Sequence, residues 1–212
     1  MNEIIIMPTM AKQRINLGEY AEEAVIVEDT IIRTPSNLHF IEANTQEVDL
    51  HHLLNDCITP VFSKDNELTI NHAQFIGTIQ EAAQDFFRGE TVDDAAIRVS
   101  HTIKGRIPEA IHKPANQLLE SDKTIYYERA AFSIDVPSIW QDVNGNRLNL
   151  SIVGVRAYNL QNLYSKKVPE LFKLAIGFKN QVCCNMSIFS DGYKDELRVS
   201  NTTELYTAAL EL

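Results

Sequence analysis

The sequence predicts an α+β protein, an antiparallel sheet with helices packed on one side. Three observations carry this expectation. Apolar and polar residues alternate with period two in several stretches after residue 96, a single long helical periodicity occupies residues 72–88, and Asn-Gly and Asp-Gly dipeptides stand between apolar runs, as hairpins require. The 212 residues are 44% hydrophobic and 23% charged, enough for one generous core without staples. No internal repeat or low-complexity tract interrupts them.

Residues 1–37 read as a flexible or partly ordered arm. Two short apolar runs, Ile4–Ile6 and Val25–Val27, lie among Glu22, Glu23, Glu28 and Asp29, and Pro35-Ser36-Asn37 punctuates their end. Residues 38–212 are then expected to form a single α+β domain. The first residues place Glu3 where a signal peptide needs cations, and Pro8 and Lys12 cut the apolar run far short of a spanning helix. Cys57, Cys183 and Cys184 include no Cys-x-x-Cys, which argues against a disulfide framework or a cysteine zinc site. The expectation is a cytoplasmic protein that makes no use of a membrane.

A first helix is expected from Thr45, as cap, to Cys57, with Val48, Leu50, Leu53 and Leu54 as its apolar stripe. Pro60 stops it, and residues 61–70 suggest a small hairpin around Lys64-Asp65-Asn66. Asn71 should cap the second helix, whose Phe75, Ile76, Ile79, Ala82, Ala83, Phe86 and Phe87 share one face before Gly89 ends it. Ile97, Val99 and Ile103 then alternate with Arg98, Ser100, Thr102 and Lys104 as one half-buried strand.

A second strand is predicted from Ile125 to Val136 and a third from Leu148 to Tyr158, joined through Asn144-Gly145. In the third, the apolar parity of Leu148, Leu150 and Ile152 continues into Gly154, Arg156 and Tyr158. Either a bulge at Gly154 or a polar pair at a sheet end would explain this. Phe172, Leu174, Ile176 and Phe178 alternate as a strand, although Pro169-Glu170 could open a helix. Asp191-Gly192 suggests a further hairpin between 184–190 and 193–199. Thr202 or Thr203 would cap a last helix that reaches the final residue uncapped.

Charge is distributed unevenly along this chain. The first 97 residues carry 5 Lys/Arg against 17 Asp/Glu, whereas residues 98–184 carry 12 against 7, although the whole chain has a net charge of −10. Cations gathered with aromatics into one segment are the arrangement expected of a surface that meets an anionic polymer. On this reading Arg98, Lys104, Arg106, Lys113, Arg129, Arg156, Lys166, Lys167 and Lys179 contact phosphates, while Tyr127, Tyr158 and Tyr164 stack on bases. The bland alternative is a solvated strand edge facing the acidic amino-terminal half.

Catalytic patterns are sparse. There is no Gly-x-Ser-x-Gly, Walker loop, His-Glu-x-x-His or Gly-x-Gly-x-x-Gly, and no cofactor is implied. Glu120, Asp122 and Lys123, with Glu128 or Asp135, are the nearest approach to the carboxylates and lysine of a metal nuclease, without a defensible spacing. His52 and Asp56 stand at i, i+4 with His51 and Cys57 adjacent, but no third ligand can be named, and a solvated helix face is the simpler reading. His101 falls on the apolar parity of its strand, where a core histidine is simpler than a general base.

Several longer stretches carry a family resemblance: Phe40–Thr45, Pro60–Ile70, Ile103–Ala110, Lys113–Glu120, Tyr126–Arg129 and Gly154–Asn159. In these the chain resembles an uncharacterised domain-of-unknown-function family carried on Bacteroidetes conjugative elements and prophages. Gly177–Asn180, Val182–Asn185 and Asp191–Tyr193 are similar to a broader group of phage- and plasmid-like proteins. The resemblance implies a mobile-DNA setting and members longer than this chain, and it supplies no catalytic residues. Together these readings give the expectation of a non-enzymatic protein that binds single-stranded DNA or RNA in replication, recombination or transfer. The alternatives are a protein-interaction module whose basic face is masked by its acidic half, and a metal-dependent nuclease.

Overall fold

Among the described residues six strands form one antiparallel sheet, and their order explains how distant stretches of sequence meet. The computed structural model describes residues 44–59, 68–160, 169–180 and 187–212. All of these lie in the compact unit Asn37–Leu212. The expected arm, the hairpin expected near Lys64, and Tyr164, Lys166 and Lys167 fall outside the described residues. The elements are β1 (Gln46–Val48), α1 (Leu50–Asn55), α2 (His72–Phe86), β2 (Ala96–Val99), β3 (Thr102–Arg106), β4 (Lys123–Tyr127), β5 (Arg129–Val143), β6 (Asn146–Ala157), β7 (Glu170–Asn180), β8 (Ser187–Val199) and α3 (Thr202–Leu210). The main sheet runs β1-β2-β5-β6-β7-β8, and β3 pairs with β4 as a separate two-stranded ribbon.

Register aligns core positions of β2, β5, β6, β7 and the end of β8 on one face of the main sheet. Ile97 opposes Phe132, Phe132 opposes Gly154, Gly154 opposes Leu174, and Phe172 opposes Leu197. These residues pack with Phe75, Ile76 and Ile79 of α2 and Leu205 of α3 in one continuous core. Phe75, Ile76, Phe132, Phe172 and Leu205 are fully buried. Burying a large apolar side chain contributes roughly 1.5–3 kcal/mol. The core thus explains why α2, with its capping box between Asn71 and Gln74, is the element most legible in the sequence.

Several sequence expectations are corrected by this topology. The strand predicted through Ile97–Lys104 is two strands, because the chain leaves the main sheet at Ser100-His101 and β3 joins the ribbon; His101 is exposed there and is not a core residue. The strand predicted from Ile125 likewise divides at Glu128 into β4 and β5. Thr45 does not cap α1: residues 46–48 pair with β2, and Asp49 caps the helix by accepting from the His52 amide at 2.6 Å. Asn201, rather than Thr202 or Thr203, caps α3 through the Glu204 amide.

Asn144 and Gly145, both at positive φ, make the expected turn between β5 and β6. Asp191-Gly192 makes no hairpin, because β8 runs through it and absorbs the extra residues as a bulge opposite Gly177, between the pairs Ile176–Tyr193 and Phe178–Phe189. Gly154 does not mark a bulge either. A Cβ there would lie 2.2 Å from Phe132 Cε1 and 2.9 Å from Phe75 Cζ, so the position is glycine because two aromatic rings occupy the space above it. The irregularity of this hairpin falls in β5, between Val136 and Trp140.

Candidate functional site

Titratable and aromatic side chains form a chain of contacts from the surface of α1 to the floor of the sheet. Asp56 and His52 are one helical turn apart, and the His52 Nδ1–H donates to the Asp56 carboxylate at 2.8 Å. That bond fixes the tautomer, so His52 Nε2 accepts from the Tyr127 hydroxyl at 2.9 Å, and Cys57 Sγ stands 3.6 Å from the same nitrogen. Cys57 is held against β4 by a parallel bridge to Ile125, next to a bond from the Ile58 amide to the Thr124 hydroxyl. Burial, reinforced by Asp56, pushes the Cys57 thiol up to about 11, so it is protonated at neutral pH.

Tyr127 connects this surface cluster with a buried one. Its carbonyl accepts from His72 Nε2–H at 2.8 Å, and the His72 ring stacks on Tyr158 with centroids 4.3 Å apart. Burial, with the nearby Arg156 cation, lowers the His72 pKa to about 3. The imidazole is therefore neutral, and its Nδ1 lone pair has no hydrogen-bond partner among the described residues. The Arg156 guanidinium lies over the rings of Tyr158 and Phe172, 4.7 and 4.3 Å from their centroids. Its two terminal nitrogens donate to the Ile70 carbonyl and to the Glu170 carboxylate. Glu170 in turn accepts from the Ile70 amide at 3.1 Å, so one ion pair ties β6 and β7 to the entry of α2.

The residues expected to bind nucleic acid are therefore spread over different environments. Tyr127 and Tyr158 are each only 4% exposed, and neither offers an open ring face for a base. Arg156, the penultimate residue of β6, has turned inward on the apolar parity, so of the two sequence explanations the polar pair at the sheet end holds and the bulge at Gly154 does not. Arg98 is buried between its bonds to Thr45 and an approach of 3.8 Å to Glu47. Lys113 is bound to the buried Asp122 at 2.6 Å, and Arg106 donates to the Lys113 carbonyl. Lys179 donates to both carboxylate oxygens of Asp135 at 2.8 Å and to Ser133 at 3.1 Å, and the Ser151 hydroxyl completes that cluster on Asp135.

Lys104 and Arg129 remain exposed, with no side-chain hydrogen bond or ion pair among the described residues. The nuclease-like set is also divided: Glu120 pairs with Lys123, Asp122 with Lys113, and Asp135 lies in the main sheet with Lys179. Among the described residues no three His, Cys, Asp or Glu side chains converge on a metal position. No helix described is long and apolar enough to cross a membrane. Sequence reasoning missed His72 and Glu170. The available signal was Arg156 itself, since a cation on a buried parity requires an acid nearby.

Fold and site together define an α+β domain with a six-stranded antiparallel sheet, helices on one face and a buried ionic-aromatic chain beneath them. The chain belongs to the family DUF3871, described as "Domain of unknown function, B. Theta Gene description", whose model matches residues 20–212. Comparison with curated proteins and with solved structures gave no match.

Proposed function

We propose that this protein binds single-stranded nucleic acid on a mobile genetic element, through a contact surface smaller than the charge distribution first suggested. The observation that carries the reading is the register of the β3–β4 ribbon. Arg106 opposes Lys123 and Lys104 opposes Ile125, so the three cations share one ribbon face, and Arg129 begins the next strand. The Lys123–Glu120 pair is exposed and screened by solvent, so a phosphate could displace the carboxylate. The mobile-element setting rests on the family resemblance alone.

Four such contacts would give log K falling with log salt at a slope of about −2.8, from about −0.7 per phosphate on single strands. The test is fluorescence anisotropy with a labelled oligonucleotide across a salt series. Lys104→Glu with Arg129→Glu should abolish binding at low salt. Salt-insensitive binding, or none in the parent chain, overturns the proposal.

A second reading, a protein-interaction module, is favoured by the outer part of the β5–β6 hairpin. There Trp140 is 51% exposed with the Arg147 guanidinium 4.8 Å from its ring centroid, a pairing of the residue types enriched at interface hot spots. Acids of the same chain also neutralise Arg98, Lys113, Arg156 and Lys179. Deleting residues 1–37 separates the versions: a gain of oligonucleotide binding supports masking by the acidic half, and no change supports a protein partner.

A further inference from the structure

We infer that His52 Nε2, Cys57 Sγ and Tyr127 Oη form a binding site for a divalent cation of the zinc class, with Asp56 holding the imidazole from behind. The inference is independent of nucleic-acid binding. Two donors, the Tyr127 hydroxyl at 2.9 Å and the Cys57 thiol at 3.6 Å, face one lone pair on His52 Nε2. That lone pair can accept one of them well, whereas a cation placed among the three atoms would be a partner for all. Tetrahedral zinc with Zn–N of about 2.0 Å and Zn–S of about 2.3 Å separates its nitrogen and sulfur ligands by roughly 3.5 Å. The observed sulfur–nitrogen separation already has that value to within 0.1 Å.

The surroundings have the features of a built site. Asp56 accepts from His52 Nδ1–H at 2.8 Å, the carboxylate–histidine arrangement that orients metal-ligating imidazoles. The bridge between Cys57 and Ile125 holds the Cys57 backbone beside β4, the strand that carries Tyr127. A cavity of about 10 Å³, lined by Cys57, Thr59, Asn71, His72 and Tyr127, adjoins the sulfur. That is close to the room one water needs, so a fourth, solvent ligand would fit there.

His72 supplies an independent sign of a missing ligand. It is 4% exposed, lines the same cavity, and carries an Nδ1 acceptor with no partner among the described residues, the group a metal-bound water would donate to. Thiolate and imidazole donors with a phenol select zinc, or cobalt as its spectroscopic substitute, over magnesium or calcium. Binding displaces the Cys57 proton to solvent, because the thiolate is the ligand. The His52 side chain, 29% exposed, gives the entry path.

The test is titration of the full chain, after chelator treatment, with cobalt(II) and then zinc(II). The expected result is one equivalent of cobalt with a thiolate-to-cobalt charge-transfer absorption that zinc displaces. That absorption should vanish in Cys57→Ser and His52→Ala, persist in His51→Ala and in Cys183→Ser/Cys184→Ser, and require 10–100-fold more metal in Asp56→Asn. Circular dichroism would verify that each variant is folded. The parent chain provides a test that needs no variant: cobalt binding without a thiolate band overturns the inference, as does the absence of binding. So does a band that survives Cys57→Ser and is lost with Cys183→Ser/Cys184→Ser.

Discussion

The Arg156 guanidinium on β6 donates to the Glu170 carboxylate at the start of β7, and the two side chains are 0% and 2% exposed. Removing one partner of such a pair strands the other charge in the core. Arg156→Met should therefore cost about 3–5 kcal/mol in urea unfolding, and Arg156→Met with Glu170→Leu should recover much of that loss. A double variant as unstable as the sum of the two singles would show that the pair acts through the Ile70 bonds instead of the charge.

Gly154→Ala tests the aromatic packing. Its new methyl would enter the space of Phe132 and Phe75, and neither ring can retreat, because both are fully buried. Overpacking of this kind costs about 1–3 kcal/mol, read as a lower urea midpoint at unchanged m-value. Combining it with Phe132→Leu should restore part of the loss by opening the space the methyl needs.

His72 makes stability pH-dependent with a definite sign. Its pKa is about 3 in the folded protein, against an ordinary 6.5, so the unfolded chain binds the extra proton between those values. The stability associated with a neutral His72 is full above about pH 6.5. It falls as pH drops through the window to about 3, by at most about 1.4 kcal/mol per pH unit. Urea midpoints measured at pH 7, 6 and 5 should decline in the parent chain, and the His72→Gln variant should show a shallower decline.

How far each element could be read from sequence followed how local its signal is. The Asn71 cap, and Asn144 with Gly145, act within a few residues, and both were recognisable. The boundaries at Ser100-His101 and Glu128 were not, because alternation of apolar residues is the same whether a strand continues or passes to another sheet. Asp191-Gly192 misled for a related reason: a turn-forming dipeptide also suits a bulge, and pairing with β7 decided between them.

By itself the sequence determined the α+β class, the helix at 72–86, the hairpin turn at Asn144-Gly145 and the concentration of cations after residue 97, because these follow from periodicity, backbone preference and composition. Only the tertiary structure decided what the cations do. Burial made Arg98, Arg156 and Lys179 partners of their own chain's groups, since a charge removed from water must be paired. The same folding brought the Tyr127 hydroxyl to His52 Nε2, 75 residues away in the chain and close to Cys57, a contact that the i, i+4 spacing of His52 and Asp56 could not reveal.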